Sequence, residues 1–162
     1  MIHLKYFENT SYPQGSGEDN RTSIVSFDFD GVLHSSVLPG TIHPICAHDP
    51  HKWKPRYDVF DIIEEESETS QIVIITARHK SDKDILWEFI REFGLPIDEI
   101  YCTANLPKYP LLMELGAKRH YDDNPKMALP LKNFNIDFVL STPPYMSERE
   151  IDELRMTKKV MW

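Results

Sequence analysis

Two aspartates separated by one residue and followed by a glycine stand in the stretch Phe27-Asp28-Phe29-Asp30-Gly31. Side chains alternate along a strand, so in extended backbone Asp28 and Asp30 point to the same side. A turn beginning at Asp30 lets the pair flank one reacting atom. Two carboxylates this close do not both ionise cheaply without a cation or a shared proton. The plain alternative is a pair of acids at an Asp-Gly turn. A calcium loop fits poorly, because Gly31 directly follows the second aspartate and no third acid comes at the required step. Further along stand Thr76, Lys108 and the pair Asp122-Asp123, followed by Asn124-Pro125. Alone, each has an ordinary reading: a helix cap, a surface lysine, a turn.

The elements that must position these residues are legible in the hydrophobic pattern. Ile24, Val25, Phe27 and Phe29 form an apolar run that reads as a strand buried on both faces. Residues 71–76 (Gln-Ile-Val-Ile-Ile-Thr) read as a second buried strand, 99–102 as a third, 119–121 as a short fourth and 136–140 as a fifth. Between them the period turns helical. Val59, Phe60, Ile62 and Ile63 form one stripe after Tyr57. Ile85, Leu86, Phe89, Ile90 and Phe93 form another, opened by a Ser81–Asp84 capping box and stopped by Gly94. Short helices are expected over 111–115 and 127–131. A Ser147–Glu150 capping box opens a last helix running to about Lys158. Residues 1–7 suit a short edge strand or a flap, and 8–23 a loop. This alternation predicts an α/β fold: a three-layer, Rossmann-like, mainly parallel sheet with helices on both faces. Ligands in such sheets bind at the carboxyl ends of the strands, near the switch in strand order. Asp28 and Asp30, Thr76, and Asp122 and Asp123 all fall at strand ends.

Composition sets the bounds. A chain of 162 residues suits one domain over 1–162, with residues 34–57 as a small flap or cap insertion. The net charge of −8 argues against broad attraction to nucleic acid or an acidic membrane, though not against a local basic patch. Cys46 and Cys102, far apart, make no disulfide framework and suit a reducing compartment. No signal peptide and no membrane-spanning run is visible, so a cytoplasmic, membrane-free protein is expected. Its oligomeric state is left open.

Taken together, a strand-end diacid, a strand-end hydroxyl, a lysine and a second diacid, in that order, resemble the haloacid dehalogenase superfamily of aspartate-based phosphatases. The resemblance covers roughly residues 24–142, and its first motif, Asp28-Phe29-Asp30-Gly31-Val32-Leu33, has the form Asp-x-Asp-Gly-x-Leu. It implies a phosphomonoester hydrolase. Asp28 would be the nucleophile, forming an aspartyl-phosphate, and Asp30 the acid and base for the leaving oxygen and the hydrolytic water. Thr76 would donate to a phosphoryl oxygen, and Lys108 would balance charge. Lys118 competes for that last role but precedes the acidic strand too closely. A Mg²⁺ ion would be held by Asp28, the backbone carbonyl of Asp30 and an acid of Asp122-Asp123. Asp123 is favoured as the ligand, with Asp122 behind it or turned toward Lys108. Arg78, in Thr76-Ala77-Arg78, would reach substrate phosphate or, equally, stand as a surface residue at the start of a helix.

Residues 76–108 leave no room for a cap domain, so an open site is expected, of the kind that takes macromolecular substrates. Asp122-Asp123-Asn124-Pro125 is similar to the fourth motif of carboxy-terminal-domain phosphatases, and the aspartate pair with Thr76-Ala77-Arg78 to the phosphatase half of polynucleotide kinases. Neither likeness names the substrate; the loop at 51–57 favours a nucleic-acid end or nucleotide, with a phosphoprotein or small metabolite as the alternative. In the insertion, Lys52, Lys54 and Arg56 alternate with Trp53 and Tyr57. Lys52 and Lys54 would meet backbone phosphates while an aromatic stacks on a base; the plain alternative packs Trp53 on the core. His43, Cys46, His48 and His51 have the spacing of zinc ligands, although a histidine-rich surface loop is the preferred reading. A non-catalytic metal- or phosphate-binding module on the same fold is the reading from a different class.

Overall fold

The computed structural model describes residues 19–38, 43–144 and 147–156. The expectations for residues 1–7 and for most of 8–23 lie outside this range, as does the end of the last helix beyond Met156.

Five strands, β1 (Ser23–Phe27), β2 (Ser70–Thr76), β3 (Glu99–Cys102), β4 (Arg119–Asp122) and β5 (Asp137–Leu140), form one sheet in the order β3-β2-β1-β4-β5. All four pairings are parallel. The helices are α1 (Tyr57–Ser67), α2 (Lys83–Glu92), α3 (Tyr109–Leu115), α4 (Ala128–Asn133) and α5 (Glu148–Met156).

The side-chain alternation of the strands divides the core in two. Val25, Phe27, Ile72, Ile74 and Ile100 pack with Val59, Phe60 and Ile63 of α1 and Leu86, Phe89 and Ile90 of α2. Val73, Ile75 and Tyr101 pack on the other side with Leu111 and Leu112 of α3 and Leu131 of α4. The result is a three-layer α/β architecture of Rossmann-like type. Strand order reverses between β1 and β4, so the crevice at their carboxyl ends is where this topology puts a ligand.

Local chemistry explains most of the element ends. Gly94 and Gly116, both with positive φ (61° and 67°), stop α2 and α3. The capping box of α5 forms as expected: Glu150 N–H donates to Ser147 Oγ and Ser147 N–H to Glu150 Oε1. That of α2 does not. The helix begins at Lys83 after a 3₁₀ turn over Lys80–Asp82, with no side-chain cap. β1 also ends earlier than its apolar run. At Asp28 the chain leaves the strand, and Val32 and Leu33 N–H turn back to the Phe29 carbonyl, burying Phe29, Val32 and Leu33 in a turn.

The described part of residues 34–57 is tied to the body. Backbone bridges join His34 to Pro55 and Val37 to Pro44. Ile45 and Cys46 pack on Ile151 of α5. Trp53 is buried in the main core, its ring stacked on His34 at 4.9 Å. Among the described residues no helix is long and apolar enough to cross a membrane.

Candidate active site

The ends of β1, β2 and β4 enclose a cavity of about 180 Å³ lined by Asp28, Asp30, Thr76, Lys108, Asp122 and Asp123, with Ala77, Asn124 and Met127 at its edge. Every residue expected in the catalytic and metal sets is therefore at one place. Lys52 and Lys54 are not among the lining residues.

Lys108, at the N-terminal edge of α3, sits between two carboxylates: its Nζ lies 2.8 Å from Asp28 Oδ1 and 2.9 Å from Asp122 Oδ2. Burial opposes its charge, but the two carboxylates hold the ammonium protonated well above the usual lysine range. Lys118 is exposed, and its backbone pairs with Ile24 at the opposite end of the sheet.

The acidic pair divides into two different groups. Asp122 is 2 % exposed and fully bonded: Oδ2 accepts from Lys108 and from His120 Nε2 (2.9 Å), and Oδ1 accepts from Asn124 N–H (3.0 Å). Those donors overcome burial and keep it ionised. Asp123 has no such support. Its Oδ1 is buried without a hydrogen-bond partner, and burial and the neighbouring Asp122 push its carboxyl up to about 7. Burial, then Asp122, also pushes Asp28 well up, against the pull of Lys108.

Oxygens of Asp28, Asp122 and Asp123 lie within 4.8 Å of one another. Three carboxylates facing one ammonium, with a buried oxygen left bare, form a hard all-oxygen donor set that could hold a metal ion. It is the one group of this kind among the described residues. His43, Cys46, His48 and His51 form no such group: His48 lies 3.5 Å from Asp82, His51 3.3 Å from Glu88, and Cys46 packs inward.

Gly31 is what lets Asp123 come this close. Its φ is +83°, and a Cβ there would collide with Asp123 Oδ2. Gly31→Ala is expected to cost about 1–3 kcal/mol from the backbone alone, read as a lower urea midpoint, and to weaken metal binding by displacing Asp123. Unchanged metal affinity would contradict this placement.

Thr76, at the end of β2, accepts from Arg78 N–H (3.2 Å). Its own hydroxyl proton is left to donate into the cavity. Asp30 is held far more firmly than the sequence reading anticipated. Arg78 grips it through two bonds, Nε to Oδ2 at 2.7 Å and Nη2 to Oδ1 at 2.8 Å. His34 Nε2 adds a third at 2.8 Å. The His34 Nδ1 accepts from Ser36 N–H, which puts the ring proton on Nε2. Against the cost of burial, Arg78 and His34 keep Asp30 ionised well below the ordinary range. Arg78 is itself fixed: Nη1 donates to the Ala47 carbonyl (2.6 Å), and the guanidinium lies over the Trp53 ring at 5.0 Å. The residue read as a substrate ligand is thus a clamp on Asp30 in this state.

Two fully buried histidines, His34 and His120, hold one carboxylate each, and the sequence reading assigned them no role. For His120 the signal was present. It stands two residues before Asp122 on β4, so both point to one side of the strand. Burial lowers its proton affinity, and its Nδ1 lies 2.7 Å from Ser26 Oγ.

No family model matches this chain, and no curated protein is similar enough to match it. Among solved structures, a chain from "Structure of the Pnkp1/Rnl/Hen1 RNA repair complex" is similar, with a TM-score of 0.60 and 14 % identity over 84 % of this chain and 47 % of that one. This chain spans about half the length of that neighbour. At that identity the likeness is one of fold.

Proposed function

We propose that the protein is a Mg²⁺-dependent phosphomonoester hydrolase that works through an aspartyl-phosphate on Asp28. The observation that carries this reading is the meeting of Asp28, Lys108 and the partly unsatisfied Asp123 in one cavity at the β1–β4 switch point. The resemblance to haloacid dehalogenase phosphatases, stated from sequence, supports the same roles.

A carboxylate oxygen of Asp28 attacks phosphorus. The bond to the leaving oxygen breaks, and water later attacks phosphorus to release phosphate and restore Asp28. Lys108 offsets charge on Asp28, and Thr76 donates to a phosphoryl oxygen. Asp28, Asp123 and the Asp30 carbonyl would hold the ion, whose charge offsets that of the phosphoryl group. Asp122 acts from behind, orienting Lys108.

Asp30 starts as a carboxylate, the state required to take a proton from the attacking water. To serve as the acid of the first step it must gain a proton, and a phosphoryl oxygen competing for Arg78 would loosen the clamp that prevents this. The preferred substrate is a nucleic-acid or nucleotide phosphate, for which the RNA-repair fold neighbour gives supporting context.

The test is phosphate release from a panel of monoesters, including 3′- and 5′-phosphorylated oligonucleotides, with wild type and Asp30→Asn. Asp30→Asn is expected to lose about 10²–10⁴-fold with an alkyl leaving group and much less with a nitrophenyl one. Equal losses on both would remove Asp30 from proton transfer, and no release by wild type from any ester would end the phosphatase reading.

A further inference from the structure

The cavity is small. Pockets that enclose a whole small ligand run to about 300–1,000 Å³, whereas this one is about 180 Å³. It takes the phosphoryl end and leaves the rest of the substrate on the surface beside it.

The surface around it is not uniform. α1 carries Asp58, Asp61, Glu64, Glu65 and Glu66 and no basic residue. The layer on the other side of the sheet carries Lys126 and Lys132, both exposed and, among the described residues, in no ion pair. The lysines of the 51–57 loop differ in this respect. Lys54 pairs with Glu150 at 3.1 Å and Lys52 approaches Asp49 at 4.0 Å, while Trp53 is buried and Arg56 is bonded to the Gly31 carbonyl, Ser141 and Asp58.

The free lysines begin at the cavity lip. Asn124 and Met127 line the cavity, and exposed Lys126 lies between them. Lys132 follows along α4, roughly 9 Å further at the helical rise per residue. It borders a shallow groove of about 430 Å³ lined also by Ala128, Asn135, Ile136, Asp137 and Phe138. The groove also carries one exposed carboxylate, Asp137, 3.8 Å from Arg119 Nη2, while Arg119 Nη1 is held by Glu66 at 2.7 Å. Next to it Phe134, 39 % exposed, stacks on Tyr109 with ring centroids 5.9 Å apart. Unpaired lysines along a groove with aromatic rings are the features that hold a single strand by its phosphates and bases.

We propose that a single-stranded nucleic acid whose terminal phosphate occupies the cavity runs over Lys126 and Lys132 into the α4–β5 groove, and not over the 51–57 loop. This rests on the phosphatase reading for the role of the cavity, while the surface itself is tested by binding. Wild type, Lys126→Glu/Lys132→Glu and, as a control, Arg91→Glu, an exposed residue of α2 in the helical layer on the other face of the sheet, are compared. The readouts are anisotropy of a labelled single-stranded oligonucleotide, in DNA and RNA arms, and KM for phosphorylated oligonucleotides, a phosphopeptide of equal charge and p-nitrophenyl phosphate.

The double variant is expected to weaken oligonucleotide binding at least tenfold and to reduce the salt slope by about 1.4, the value for two lost single-strand phosphate contacts. The ratio of the oligonucleotide KM to the p-nitrophenyl phosphate KM should rise by a similar factor. Arg91→Glu should alter none of these. A double variant no worse than Arg91→Glu overturns the proposal, as does an equal loss on the phosphopeptide. If wild type hydrolyses nothing yet the binding arm behaves as stated, the surface stands and the phosphatase reading falls.

Discussion

Asp28→Asn is expected to abolish phosphate release, by on the order of 10⁴-fold or more, while leaving the fold intact. The loss follows from the chemistry. An amide oxygen is a poor nucleophile toward phosphorus, and no other carboxylate of the cavity is placed to replace it. Asp122 is consumed by Lys108, His120 and the Asn124 amide, Asp30 by Arg78 and His34, and Asp123 would be held on the ion. The retained fold follows from the electrostatics. Burial and the neighbouring Asp122 already make the Asp28 charge unfavourable without an ion, so an isosteric neutral side chain relieves repulsion, and Lys108 keeps Asp122. The metal-free variant should therefore melt at or above the wild-type temperature. Activity within tenfold of wild type would sink the nucleophile assignment. A collapsed melting temperature with lost activity would show Asp28 to be a structural partner of Lys108.

The parts of this molecule that sequence made legible are those governed by local periodicity. The apolar runs of β1 and β2 and the stripes of α1 and α2 are near-continuous, and they fall within a few residues of where they were expected. The strand-end positions of Asp28, Thr76 and Asp122 followed from those runs, and so did their convergence. What was not legible depends on contacts between segments far apart in sequence. Arg78 looked like a phosphate ligand because nothing local says that Asp30, the Ala47 carbonyl and Trp53 surround it. The basic-aromatic alternation at 51–57 suggested a surface grip. Instead Trp53 completes the core between Phe29, His34 and Phe89, and Lys54 finds Glu150, 96 residues away. The Ser81–Asp84 box failed for a related reason: the neighbouring Asp82 draws Arg78 and His48 at 3.5 Å each, and the helix opens at Lys83.

Mg²⁺ is expected to raise the melting temperature of the protein by about 5–10 °C at a hundredfold excess over its Kd, since that excess is worth about 2.7 kcal/mol and a chain of this size moves roughly 2–4 °C per kcal/mol. Chelator should remove both this shift and all phosphatase activity. The cause is the imbalance of charge at the cavity: oxygens of Asp28, Asp122 and Asp123 crowd within 4.8 Å, and the Lys108 ammonium bridges only Asp28 and Asp122. Without an ion a phosphate dianion would meet a negative site. Asp123 decides the matter, because its Oδ1 is the buried oxygen without a partner and it is the acid that Gly31 makes room for. Asp123→Asn keeps the shape and removes the charge. It should raise the melting temperature of the metal-free protein, by relieving repulsion, and cancel most of the Mg²⁺-dependent rise. Asp122→Asn should instead lower the metal-free melting temperature, because it strips Lys108 and His120 of a shared acceptor. The opposite pattern would make Asp122 the ligand. Full activity in excess chelator, with no metal found in the protein, would rule out a role for any ion.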